Sequence, residues 1–126
     1  MIEDIAGIWD MVHDGMGGTL KINPSDQRHN AIEGNCTYNY NVIEGNYNQG
    51  NGASLQMHGT FGGKDVNNRS NAPCKQSDHL ISFTIHFPPD PPQQFTGYLF
   101  THNKKTMAGF TWWKGIPFGW FATKRS

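Results

Sequence analysis

The chain has 126 residues, enough for one domain around one hydrophobic core. Ten Lys and Arg balance ten Asp and Glu, and without a basic cluster this argues against nucleic acid or an anionic membrane surface as partner. No apolar run reaches the roughly 20 residues of a membrane span, and Met1-Ile2-Glu3-Asp4-Ile5 is no secretory leader, so the expected location is cytoplasmic.

Only 16% of residues are charged and 15 are glycine, which points to a turn-rich β protein. Taken in order, Gly7 to His13 alternates as a first strand, with Trp9, Met11 and His13 on one face and Ile8, Asp10 and Val12 on the other. Asp14 to Gly18 reads as a turn, Thr19 to Ile22 as a second strand, and Asn23 to Gln27 as a loop. A third strand is expected over about Ala31 to Val42, then a polar connection over Gly45 to Gly52, then a fourth strand over Ala53 to Thr60. Residues 62–79 read as one long irregular loop. Leu80 to Phe87 is a fifth strand, with Ile81, Phe83, Ile85 and Phe87 on one face, ended by Pro88-Pro89-Asp90-Pro91-Pro92. Three aromatic-rich segments complete the chain: Phe95 to Phe100, Met107 to Trp113 and Phe118 to Lys124, split by Thr101 to Lys105 and Lys114 to Pro117. Eight successive strands without helical crossovers predict an all-β fold, an eight-stranded antiparallel up-and-down barrel over residues 1–126. Such a barrel is wide enough for one small ligand.

Cys36 and Cys74 read first as two unrelated buried thiols, with a disulfide as the alternative. The Asn-x-Ser/Thr triplets at Asn35 and Asn68 read as chance in an Asn-rich chain. The six histidines show no metal-ligand spacing, and neither a metal nor a cofactor is expected. His13-Asp14 is the most suggestive polar pair, a histidine on the Trp9 face followed by a carboxylate beside a glycine turn. Both are candidate acid–base groups.

The ordered series Gly7-x-Trp9, Thr19-Leu20-x-Ile22, Leu55-x-x-His58-Gly59-Thr60, Phe83-Thr84-Ile85-x-Phe87, Phe95-Thr96-Gly97 and Ala122-Thr123-Lys124 resembles the avidin and streptavidin barrels, within the calycin type, over nearly the whole chain. The resemblance implies a ligand held inside the barrel, with Trp9, Phe87, Phe95 and Trp112 at positions of the family's aromatic walls. The family's polar biotin partners fall on Met11, Gly18, Cys36 and either Trp120 or Gly119. None of these can make the family's hydrogen bonds, so the expected ligand is not biotin. The family's long loop before the last strand is reduced here to Lys114-Gly115-Ile116-Pro117.

The favoured expectation is therefore a small-molecule binding barrel whose apolar pocket is lined by Trp9, Met11, His13, Tyr38, Phe87, Phe95, Trp112 and Trp120. Its partner would be a hydrophobic or aromatic small molecule. Two alternatives stand beside it. One is a barrel enzyme of cyclase or isomerase type using His13, Asp14 or Tyr38. The other is a carbohydrate-binding module presenting exposed aromatics. Outward aromatics, Tyr98 and Trp113 among them, also make a homodimer an expected assembly.

Overall fold

The side-chain alternation of the first strand already separates inside from outside. Trp9, Met11 and His13 are buried, while Ile8 and Asp10 face solvent. In the computed structural model, which describes residues 4–23, 27–50, 52–72 and 74–125, nine strands follow one another. They are β1 (Gly7–His13), β2 (Met16–Ile22), β3 (Arg28–Glu33), β4 (Cys36–Gln49), β5 (Ser54–Lys64), β6 (Gln76–Ile85), β7 (Gln93–Leu99), β8 (Thr106–Trp113) and β9 (Ile116–Lys124). All neighbours pair antiparallel, and β2 also pairs with β4, with Leu20 opposite Tyr47. That pairing closes an eight-stranded up-and-down barrel of β1, β2 and β4 to β9.

The ninth strand, β3, pairs only with the first half of β4. The expected single strand over Ala31 to Val42 is therefore two strands turning at Gly34-Asn35, where Gly34 has φ 60°. The expected polar connection at Gly45 to Gly52 is corrected as well. Ile43, Gly45 and Tyr47 are buried and Glu44 and Asn46 exposed, so the strand alternation runs on to Gln49. The long loop shrinks to residues 65–75, because β5 continues through a bulge between Phe61 and Gly63. The loop expected at 23–27 falls largely on residues 24–26, which lie outside the described residues, as do residues 1–3 of the acidic start.

Of the three two-residue connections, Asp14-Gly15 and Lys114-Gly115 each have positive φ at both residues. That is the hairpin turn whose twist matches the flanking strands.

The hairpin of β3 and β4 is pinned against the barrel. Cys36 and Cys74 form a disulfide across a Cα separation of 5.1 Å, so the expectation of two unrelated thiols is corrected. The Gln76 amide also acts like an extra strand residue: Asn39 N–H donates to its Oε1 at 2.8 Å and its Nε2 donates to the Asn39 carbonyl at 3.0 Å.

The barrel interior is packed along most of its length. Phe83 and Phe95 stack at 5.0 Å between ring centroids, with Trp120 edge-on to both. One end is plugged by Ile5 and Trp9, both fully buried, where the Trp9 indole donates to the Ile5 carbonyl at 2.8 Å. Among the described residues, the pocket at a barrel end lies at the opposite, His13 end.

Candidate functional site at the open end of the barrel

The open end is where β1 finishes, β2 starts, β4 finishes and β7 starts. It gathers His13, Asp14, Met16, Gln49, Phe87, Asp90, Gln93, Trp113 and Phe118 around a pocket of about 380 Å³. The floor is His13, only 1% exposed, with its ring edge-on to Tyr47 at 5.5 Å and to Phe95 at 5.4 Å. Phe87 leans on the same imidazole at 6.0 Å.

The polar atoms are unevenly satisfied. Gln93 Nε2 donates to Thr111 Oγ1 at 2.8 Å and makes a long contact of 3.4 Å to Asp14 Oδ2. Thr111 in turn donates to the Gln94 carbonyl at 2.8 Å. By contrast, His13 Nδ1 and Nε2, Asp14 Oδ1, Tyr47 Oη and Gln49 Oε1 are buried and have no protein partner. Among the described residues, every buried side-chain nitrogen or oxygen in that condition belongs to these four residues. His13 Nδ1 stands 3.6 Å from Asp14 Oδ2, too far for a hydrogen bond.

Burial sets the protonation of this cluster. It pushes the His13 imidazole below its ordinary value, and the nearby Asp14 carboxylate and Gln49 side chain reverse only part of that. Burial, helped by the Asp14 charge, pushes the Tyr47 phenol up to about 12. At neutral pH the site therefore offers a neutral imidazole and a neutral phenol.

Of the expected site residues, His13 and Phe87 line the pocket, Asp14 stands at its rim turn, and Phe95 backs the His13 ring. Trp9 does not line it, because it belongs to the plug at the far end. Met11 and Trp120 are core, the Trp120 indole donating to the carbonyls of Thr96 and Phe110. Trp112 faces outward, 44% exposed, and Trp113 takes the inward position. The expected orientation of these two tryptophans is reversed because Thr111, buried on β8, sets the alternation.

Tyr38 does not reach this pocket. It lies on the β3–β4 hairpin, donates to Glu33 at 3.0 Å, and shares an outer groove of about 630 Å³ with Tyr40, Thr60, Ser82 and Thr96.

Sequence reasoning missed Tyr47, Gln49 and Gln93. Tyr47 was legible in principle, since Ile43, Gly45, Tyr47 and Gln49 alternate with Glu44, Asn46 and Asn48.

The structure also brings together His58 and His86, with Nε2 atoms 2.8 Å apart on the outer surface. Among the described residues no group of three or more His, Cys, Asp or Glu side chains is placed to hold a metal ion, and no helix is long and apolar enough to cross a membrane. Comparison with protein-family models, with curated proteins and with solved structures finds no match to this chain.

Proposed function

We propose that the protein is a small-molecule binding barrel whose site is the open end around His13. The observation that carries this reading is the concentration of partnerless buried polar atoms on His13, Asp14, Tyr47 and Gln49. Each such atom costs about 1–3 kcal/mol when it is left unpaired. Random packing faults would scatter, whereas these sit together beside a pocket walled by Phe87, Trp113 and Phe118. Few polar groups on aromatic walls are the usual make-up of a ligand site.

The avidin-like reading stands on the closed barrel and the ordered motifs, and Tyr47 adds a polar group on the strand beside β2. Met11 and Gly18 still lack hydrogen-bonding side chains, so the proposed ligand remains one other than biotin. The Cys36–Cys74 bond favours an oxidising compartment over the cytoplasm.

Native mass spectrometry of the purified protein tests the proposal. A small molecule should be retained by the wild type and lost from Trp113→Ala. Retention that survives Trp113→Ala, or a wild type that neither retains nor takes up aromatic fragments, would count against it.

A second reading, acid–base catalysis at the same place, draws on the neutral His13 beside the Asp14 carboxylate. His13→Ala separates the two. An enzyme chemically converts the molecule it takes up and loses that turnover in His13→Ala, whereas a binder returns the molecule unchanged.

A further inference from the structure

The lining of the open end carries one sign of charge. Asp14 and Asp90 contribute carboxylates, and among the described residues no Lys or Arg lines the pocket. Lys114, in the adjacent turn, holds its ammonium 5.9 Å from the Trp113 ring centroid but is exposed and does not line the pocket.

The partnerless oxygens Asp14 Oδ1 and Gln49 Oε1 can only accept. The Gln49 amide nitrogen already donates to the Met16 sulfur at 3.1 Å. The Gln93 amide donates to Thr111. Among the described residues, the buried donors without a partner are the phenol of Tyr47 and one imidazole N–H of His13.

Phe87, Trp113 and Phe118 supply the walls, and the negative face of an aromatic ring attracts a cation. Carboxylates beside the Phe87 and Phe118 rings, with Lys114 over Trp113 but no Lys or Arg among the described lining residues, make a poor site for a carboxylate or phosphate ligand. They make a good one for a group that is positive and rich in N–H.

We infer that the open-end pocket selects an organic cation, a protonated amine or amidinium carrying a small apolar or aromatic body, with its N–H groups directed at Asp14 Oδ1 and Gln49 Oε1. This inference rests on the binding reading proposed above and narrows the partner from any hydrophobic molecule to a cationic one. It also gives Asp14 a role beyond closing its turn. At φ 51° that residue is in the left-handed region, which Asn tolerates as well as Asp. Asp14→Asn therefore removes the charge without removing the turn.

The experiment uses three planar probes of nearly equal shape: benzamidinium, benzamide and benzoate. Each is titrated to millimolar concentration against the full chain, with the Trp113 indole N–H and the Gln93 side-chain amide followed by NMR. Benzamidinium should bind several-fold tighter than benzamide, and benzoate weakest. In Asp14→Asn the advantage of benzamidinium over benzamide should fall to within about twofold. Asp90→Asn is the second variant and should narrow the same gap while sparing the β1–β2 turn.

Benzoate binding as tightly as benzamidinium, with shifts at the same two resonances, would overturn the cationic assignment and leave the pocket reading intact. So would an unchanged benzamidinium preference in both variants. If none of the probes moves Trp113 or Gln93, the pocket reading fails, and the cation assignment with it.

Discussion

The ring of Tyr47 occupies the space that a side chain at Gly18 would fill. A methyl group at Gly18 would collide with the Tyr47 phenol at Oη and Cζ. The two residues lie on neighbouring strands, β2 and β4, at the seam that closes the barrel. Glycine at 18 is thus what lets a full phenol lie beside His13. Gly18→Ala should cost about 1–3 kcal/mol by forcing a buried ring from its place. In a Tyr47→Leu background the same substitution should cost clearly less. Urea denaturation of the two single variants and the double variant measures the coupling.

Tryptophans 112 and 113 should behave oppositely. Trp113→Ala should weaken benzamide binding by roughly tenfold, since Trp113 forms a pocket wall. Trp112→Ala should leave it within about twofold, because that side chain faces outward. Calorimetric titration of both variants is the check. Equal effects, or a larger one from Trp112, would contradict the inward placement of Trp113.

Stability should depend on pH through His13. Its folded value lies below the ordinary imidazole value because the ring is buried. The unfolded chain therefore binds the proton first as pH falls. The stability contributed by neutral, buried His13 is fully present above the unfolded value near 6.5 and is lost as pH falls from there toward the depressed folded value. This one group gives a slope of at most about 1.4 kcal/mol per pH unit. Denaturant midpoints between neutral pH and pH 5 should fall in the wild type and fall less in His13→Leu.

The disulfide should stabilise the fold without building the site. Cys36 and Cys74 are 38 residues apart in sequence, for which the chain-entropy limit is about 4 kcal/mol. Reduction, or Cys36→Ser with Cys74→Ser, should lower stability by about 2–4 kcal/mol. Probe affinity at the open end should stay unchanged, since neither cysteine lines that pocket. Matched denaturation and binding runs with and without reductant decide both halves.

The barrel was legible because the clearest alternations were long and apolar. Ile81, Phe83 and Ile85 on β6, and Trp9 and Met11 on β1, could face only one way. The seam was harder to read. Gly45-Asn46-Tyr47-Asn48-Gln49 is polar enough to look like a loop, and its strand character comes from pairing with both β2 and β5. Missing it hid Tyr47 and Gln49, half of the partnerless cluster. The adjacent Trp112 and Trp113 could not be oriented from local pattern, because two neighbouring aromatics carry no alternation of their own. The small buried Thr111 fixes the face through its bonds with Gln93 and the Gln94 carbonyl. The Cys36–Cys74 bridge depends on the β3–β4 hairpin folding back toward residues 65–75, which no local signal reports.

The most direct test of a guest site at the barrel's open end is to map where an aromatic probe lands. Benzamide should be titrated into uniformly 15N-labelled protein, following the His13 ring nitrogens together with every backbone and side-chain amide. Shifts confined to His13, Gln49, Gln93 and Trp113 are the expected result. Shifts centred on Tyr38, Tyr40 and Thr60 in the outer groove, with His13 unmoved, would contradict the account.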